Sequence, residues 1–336
     1  MAEPLNATFF AFQKRERGGV LMRASIGFLI GGAALLALFA FVFWGALLSA
    51  LSWYGQLLSA SMTGDEAALA AIGFPAGVLI MLPGFLLWMF FFYVLFAAYE
   101  AACLRWMVHG ESVGVLGLAL DAQTWRVYGG YWVWYGLYLA SATALSIVFV
   151  GVLSVLAVAG AASGAQASDA GMMAASFGLG AALLYIGYYG ALIYFGVRLA
   201  PAAATSIARR KFSFFHAWNV TRERFWALFG SFFLLIVIYC LFAIVFGVAL
   251  FAAVLALAAP ELGWSANLPS EPSVMVVGVM ERFIGALQQP QTWLIFGLLQ
   301  IVGLAVAMVF YVAMFGVNAR AVSVALQEGK IALPQT

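Results

Sequence analysis

Charged residues are scarce in this chain. Only 8% of its 336 residues are Asp, Glu, Lys or Arg, against roughly 25% in soluble globular domains. Hydrophobic residues make up 66%, and the mean hydropathy is +1.05. A soluble core could not bury so much apolar surface, so the composition indicates an integral membrane protein. The formal net charge of +2 and the scattered basic residues give no basic stripe, so we expect no nucleic-acid partner.

Residues that carry chemistry are also few. The chain has two cysteines, Cys103 and Cys240, and two histidines, His109 and His216, none of them at metal-ligand spacing. It has no G-x-S-x-G nucleophile motif, no phosphate-binding Gly-rich loop and no paired carboxylates inside its apolar runs. We therefore predict no catalytic residue, no metal site and no cofactor, and we do not expect an enzyme.

Long apolar runs are abundant. A bilayer core about 30 Å thick is crossed by about 20 helical residues. Helices are expected because lipid offers no hydrogen-bond partner to the backbone. Six runs are long enough to cross, at about 24–51, 75–102, 129–160, 172–200, 225–259 and 291–319.

The basic residues predict the orientation of these spans. Fourteen of the 15 lie on one side of the membrane in this threading. The opposite segments, 52–74, 161–171 and 260–290, contain acidic residues and the single cation Arg282. By the positive-inside rule, we expect a multi-pass protein of the bacterial cytoplasmic (inner) membrane, with cytoplasmic N- and C-termini.

Two of the cytoplasmic connectors are similar to each other. The stretches ALDAQTWRVYGG (119–130) and AWNVTRERFWAL (217–228) align without a gap at an offset of 98 residues. The N-terminal FFAFQKRERGG (9–19) is a weaker copy, and Asn318 or Arg320 is a candidate third equivalent near the end of the sixth span. Chance similarity between two interfacial, aromatic-rich segments is the alternative explanation.

The offset favours an all-α integral membrane protein whose six transmembrane helices form three tandem hairpins. Each hairpin is introduced by a short amphipathic cytoplasmic connector, and all three enter and leave on the same side, as in parallel repeats. We predict a single polytopic membrane domain over 1–336, with repeats at about 9–105, 113–205 and 211–325.

The same offset places Glu100 and Arg198 at equivalent positions near the cytoplasmic ends of the second and fourth spans. An ionisable residue in a span is costly and usually faces a partner. Glu100 and Arg198 are therefore a candidate intramembrane ion pair. A gate or polar site, or extension of Arg198 toward the lipid headgroups, remains open.

The stretch HAWNVTRERFWALFG (216–230) concentrates charge and aromatic rings between two apolar runs. Read as one in-plane helix, residues 212–230 align Phe214, Trp218, Thr221, Phe225 and Phe229 on one face. Aromatic rings favour the headgroup level, and cations are attracted to anionic lipid. The candidate headgroup contacts are Lys211, Trp218, Arg222, Arg224 and Trp226, together with Arg126 of the preceding connector.

A family resemblance rests on RLAPA (198–202) followed by AWNVTRERFWALFG (217–230). This combination resembles the membrane domain of bacterial glycerophosphodiester phosphodiesterases and the related YciC-like inner-membrane proteins. The sequence departs from that pattern between Ala204 and Ser206. The resemblance implies a membrane domain without phosphodiesterase chemistry, because we expect no soluble barrel with clustered carboxylates and histidines in this chain.

Two function classes remain. The first is a non-catalytic membrane protein acting as a scaffold, an assembly partner of other membrane-protein subunits, or a module that binds membrane lipids, anionic ones in particular. The second is a permease or channel for a small or amphipathic solute. Mid-span positions contain little polarity beyond Gln300, Thr143 and Ser146. Because ion-coupled transporters place ionisable groups there, the first class is favoured.

Overall fold

The computed structural model describes residues 7–13, 19–64, 66–163, 167–262 and 290–332. Over these ranges the chain is helical and forms no strand. The helices are α1 (Phe10–Gln13), α2 (Gly19–Val42), α3 (Trp44–Thr63), α4 (Glu66–Ala71), α5 (Ala76–His109), α6 (Ala122–Ser163), α7 (Ala167–Leu199), α8 (Ala202–Ala208), α9 (Ala217–Thr221), α10 (Phe225–Leu262) and α11 (Pro290–Gln327).

Six of these described helices are long and apolar enough to cross a membrane, namely α2, α5, α6, α7, α10 and α11. The predicted all-α membrane fold is therefore confirmed. Most of the predicted opposite segment 260–290 lies outside the described residues, and so do Lys14, Arg15, Arg17 and Arg282.

The first hairpin differs from the prediction that residues 52–74 form a connecting segment. The helical stretch that starts with α2 resumes in α3 after Phe43 and ends only at Gly64, which adopts a φ of 67°. The amide of Phe43 donates to the Phe39 carbonyl at 3.0 Å, and the Leu47 amide donates to the Phe43 carbonyl at 2.8 Å. The helical ladder therefore continues past the apolar run, and the predicted segment is mostly helix.

Helix α5 is central, because it contacts α2, α3, α6, α8 and α11. Gly31 of α2 allows close approach to α5: a Cβ at this position would lie 3.0 Å from a methyl carbon of Leu95. Phe28 of α2 contacts the rings of Phe92, Phe96 and Tyr99. Small residues and interlocked rings are the usual means of helix packing in lipid, where apolar burial contributes little.

Buried residues concentrate at one end of the bundle. We call it the basic end and define it by the C-terminal ends of α5, α7 and α11, the N-terminal ends of α2, α6 and α10, and the segments between them, α8 and α9 included. Tyr99, Leu104, Ile207 and Val322 are buried there, whereas the middles of the spans expose most of their apolar side chains. The described basic residues all lie at this end: Arg23, Arg105, Arg126, Arg198, Arg209, Arg210, Lys211, Arg222, Arg224, Arg320 and Lys330.

The connector 212–230 is not the single in-plane helix that the sequence predicts. A 3-10 turn at Phe214–His216 leads into α9, and the chain then breaks at Arg222–Arg224 before α10 begins. The Thr221 hydroxyl contacts the Arg198 carbonyl at 3.2 Å, which fixes the end of α9 against the end of α7. Glu223 follows with a φ of 69°, in the left-handed region that reverses a helical course. The predicted aromatic face is therefore divided, with Phe214 and Thr221 buried.

The two aligned connectors also differ in conformation. In the first, α6 has already begun at Ala122. In the second, α9 ends at Thr221, residues 222–224 are not helical, and α10 begins only at Phe225. The three-hairpin repeat stays a prediction.

Candidate functional site

At the basic end, three arginines near the ends of outgoing helices each contact a connector. Arg105 of α5 contacts Asp121 in the segment before α6, and its Nε donates to Gln123 Oε1 in the first turn of α6 at 3.0 Å. Arg198 of α7 donates from Nη1 to the Thr221 carbonyl at 2.8 Å. The guanidinium of Arg320 on α11 lies 5.6 Å from the centre of the Phe10 ring, which belongs to the N-terminal segment. The third contact connects the last span to the start of the described chain.

Arg105 is the most buried of these cations, with 1% of its side chain exposed. Its Nη2 lies 3.1 Å from Asp121 Oδ2. Asp121 also caps α6, because its Oδ1 accepts from the backbone amides of Gln123 and Thr124, both at 3.0 Å. The Asp121 carboxylate thus neutralises a buried cation and caps the N-terminus of a membrane helix. Asp121 is not among the predicted site residues, although an Asp directly before a long apolar helix is a recognisable capping signal.

The structure does not bring Glu100 and Arg198 together, so their predicted ion pair is wrong. Glu100 is buried on α5 and accepts a hydrogen bond from the Tyr131 hydroxyl of α6. Arg198 interacts instead with the connector that follows it. The offset of 98 relates positions along the chain, but the rotation of each helix decides which side chains meet. Glu100 faces α6, and Arg198 faces α9 and α10.

Arg198 lies within a cluster of aromatic rings. Its guanidinium carbon is 5.4 Å from the ring centre of Tyr194, 5.2 Å from that of Trp218 and 5.7 Å from that of Phe225. These are cation–π distances, and a planar guanidinium suits such stacking better than an ammonium group. The Nε of Arg198 is buried and has no hydrogen-bond partner among the described atoms.

A cleft of about 610 Å³ opens beside this arginine, between α7 and the start of α10. Arg198 and Glu223 line its polar part, and Ile193 and Phe229 line its apolar part. Trp226 stands at its edge and exposes 77% of its surface.

The predicted headgroup contacts fall into two groups. Lys211 and Arg222 are exposed and have no ion-pair partner among the residues that the structure describes, and Arg126 is partly exposed. Trp218 and Trp226 present exposed ring surface. Arg224 differs, because it forms an ion pair with Glu328 and only 12% of its side chain is exposed. Arg224 joins the start of α10 to the end of α11, and it is not available to headgroups.

The Arg224–Glu328 pair is part of a charge cluster. Lys330 Nζ lies 3.2 Å from Glu328 Oε2 and 3.5 Å from Glu223 Oε2. These contacts link the turn before α10 to the residues after α11. Because the two acids and two bases balance, the cluster adds no net charge to the surface.

The two histidines have different surroundings. His109 Nε2 lies 3.2 Å from the Ile207 carbonyl of α8. The pKa of His216 is lowered from its usual value of 6.5 by partial desolvation and by the nearby cations Arg209 and Lys211. His216 is therefore uncharged at neutral pH and adds no positive charge there. Within the described ranges, no group of three or more His, Cys, Asp or Glu side chains could hold a metal ion.

Comparison with known proteins adds no relative: no family model, no curated protein and no solved structure matches the chain. The resemblance to the glycerophosphodiester phosphodiesterase membrane domain and YciC-like proteins therefore stays a prediction from residues 198–230.

Proposed function

We propose that this protein is a non-catalytic module of the bacterial inner membrane whose basic end lies at the cytoplasmic surface and binds anionic lipid headgroups. In this role it acts as a scaffold or an assembly partner for other membrane proteins. The observation that carries the proposal is that the buried core, the described cations and exposed aromatic rings lie together at the basic end.

Lys211 and Arg222 are exposed and lack an ion-pair partner within the described ranges, which supports this function. A cation near an anionic leaflet gains about 1 kcal/mol, whereas a cation already paired with a carboxylate gains less. Trp218 and Trp226 lie in the same connector region and suit the headgroup level. Rings and cations at the same end form a surface that matches a membrane interface.

The alternative function, a permease or channel, is less well supported. A polar passage beside Glu100 would need space on the inner face of α5. Its neighbours Tyr99, Ala101 and Leu104 are instead buried in the core. The described cleft lies on the flank of α7 and α10.

Vesicle binding tests the lipid function. The purified full-length protein in nanodiscs of phosphatidylcholine is incubated with vesicles containing increasing fractions of phosphatidylglycerol, and transfer or co-flotation is measured at several salt concentrations. We expect Arg222→Gln to lower the affinity for vesicles that contain phosphatidylglycerol by about fivefold, because one exposed cation that contributes about 1 kcal/mol is lost. The effect is expected to shrink as salt rises.

Arg210→Gln is the matched control. Arg210 is also exposed at the basic end, but it forms an ion pair with Glu111 at 2.6 Å. Both variants lose one formal positive charge, so a difference between them reports position and pairing, not net charge. Equal behaviour of the two variants, or of Arg222→Gln and the unaltered protein, would count against a headgroup role for the connector.

A further inference from the structure

The cleft between α7 and α10 changes from polar to apolar along its length. Gly190, Tyr194 and Arg198 are four residues apart on α7 and share one face of the helix. From Arg198 to Gly190 the cleft extends about 12 Å into the span at 1.5 Å per residue. Helix α10 runs the opposite way, so Phe225 faces the polar part and Phe229 the apolar part. Such a gradient matches an amphipathic molecule that lies along the helices.

The polar part of the cleft offers a preorganised donor. The Thr221 carbonyl and three rings hold the Arg198 guanidinium in place. A guanidinium has five N–H donors in a fixed fork that fits phosphate oxygens. Because Arg198 lines the cleft, a phosphodiester oxygen there would give this guanidinium a charged acceptor.

Glu223 determines which further charge the head group of a ligand can carry. Its carboxylate also lines the cleft, and 73% of the side chain is exposed, with Lys330 at 3.5 Å as its ion-pair partner. A second negative charge in the ligand would be repelled by this carboxylate. An ammonium group beside the phosphate would be attracted to it. The pair Arg198 and Glu223 therefore complements a head group that carries both charges.

The apolar part of the cleft opens toward lipid. Ile193 and Trp226 expose large apolar surfaces along it. A Cβ at Gly190 would meet no atom within 4 Å, so this glycine leaves the floor of the cleft open. An acyl chain fits such a surface, whereas a water-soluble solute gains nothing from it.

We propose that this cleft is a discrete site for one phospholipid with a zwitterionic aminoalkyl head group, such as phosphatidylethanolamine. The phosphate is bound by Arg198, the ammonium by Glu223, and an acyl chain lies along Gly190 and Phe229. This site deepens the lipid-binding function proposed above, and it is distinct from the attraction of exposed cations to an anionic surface.

Native mass spectrometry of the delipidated full-length protein in detergent tests the site. Phosphatidylethanolamine and phosphatidylglycerol with identical acyl chains are titrated separately, and bound lipids are counted. We expect one phosphatidylethanolamine per chain at an affinity about tenfold above that of phosphatidylglycerol. Equal or tighter binding of phosphatidylglycerol overturns the role of Glu223, and the absence of a one-to-one complex overturns the site.

Two glycine variants separate the cleft from general lipid contact. Gly190→Leu fills the floor of the cleft and is expected to weaken phosphatidylethanolamine binding about tenfold. Gly180→Leu is the matched control, because Gly180 lies on the same helix, also has no atom within 4 Å of an added Cβ and does not line the cleft. Equal affinities for the two variants overturn the cleft as the binding place, even if both remain folded.

Two further comparisons identify the recognised groups. Glu223→Gln is expected to remove the preference for phosphatidylethanolamine while phosphatidylglycerol binding is kept or improved. Soluble glycerophosphoethanolamine is expected to compete weakly; competition as strong as that of the intact lipid would show a soluble ligand and overturn the proposal. The Arg222→Gln vesicle assay measures the binding of exposed cations to anionic lipid and does not depend on the cleft. Failure of one experiment is therefore distinguishable from failure of the other.

Discussion

Arg105 and Arg198 show how a guanidinium is accommodated near the end of a membrane helix. Arg105 is held by the carboxylate of Asp121 and the amide of Gln123, whereas Arg198 is held by a carbonyl and three aromatic rings. In both cases the fixed planar geometry of the donors is used, so lysine is a poor replacement. The sequence identifies these residues as cations on one side of the membrane, but it does not distinguish structural from surface arginines.

At the residue scale, Asp121 offers a stability test. Asp121→Asn keeps a side-chain oxygen for the amides of Gln123 and Thr124 but removes the charge opposite the buried Arg105. Asp121→Ala also removes the helix cap. We expect both variants to lower the thermal unfolding temperature in detergent, and Asp121→Ala to lose about 1 kcal/mol more than Asp121→Asn.

Glu111→Gln is the control for Asp121, because Glu111 pairs with Arg210 in a solvent-exposed position. An exposed pair contributes about 0 to 1 kcal/mol, so little change is expected. A loss equal to that of Asp121→Asn would contradict a special role for the buried pair.

The partners of Glu100 and Arg224 could not be predicted from the sequence. Glu100 is recognisable as a buried acid in a span, but its partner is the hydroxyl of Tyr131, one of 13 tyrosines in the chain. Only the relative rotation of α5 and α6 selects that tyrosine. Arg224 is likewise indistinguishable from Arg222 in sequence, and the position of Glu328 after the last span decides that Arg224 is paired.

At the scale of elements, close contact between α1 and α11 closes the basic end. A Cβ at Gly316 would lie 2.8 Å from the Ala11 Cβ and 2.9 Å from the Ala11 backbone nitrogen. Backbone atoms cannot rotate away as a side chain can. The absence of a side chain at Gly316 therefore allows the N-terminal segment to lie this close to the last span.

Gly316→Ala is expected to separate these two elements. Hydrogen–deuterium exchange of a peptide covering residues 7–13 is expected to increase, while exchange in α5 stays unchanged. Gly247→Ala is the matched control, because an added Cβ there meets no atom within 4 Å. In a helix that control is expected to be neutral or stabilising by up to about 1 kcal/mol. Unchanged exchange at residues 7–13 in Gly316→Ala would contradict the packing of α1 against α11.

The elements themselves were largely predictable. Long apolar runs locate all six described spans, because the bilayer sets a minimum length for each. The continuation of α3 and the break before α10 were not predicted, because hydropathy indicates where a helix can cross lipid and not where it ends. Helix α3 therefore continues through residues predicted to connect the first two spans, and the break at Arg222–Arg224 interrupts a segment with a helical pattern.

For the whole molecule, the predicted orientation can be tested by cysteine labelling. In a background with Cys103→Ala and Cys240→Ala, single cysteines are introduced as Phe215→Cys at the basic end and Glu66→Cys near the opposite end. With a membrane-impermeant maleimide, we expect Glu66→Cys to react in intact spheroplasts and Phe215→Cys only after the membrane is opened. The reverse pattern would place the cations outside and remove the basis for binding cytoplasmic anionic lipid.

The contact between Ala11 and Gly316 also constrains the order of biosynthesis. The chain is made from its N-terminus, so residues 7–13 emerge before the six spans, yet their partner on α11 is translated about three hundred residues later. Contacts of such long sequence separation form slowly. The five earlier spans can enter the membrane before the N-terminal segment has its partner. The contact between residues 7–13 and α11 forms only after α11 has been synthesised.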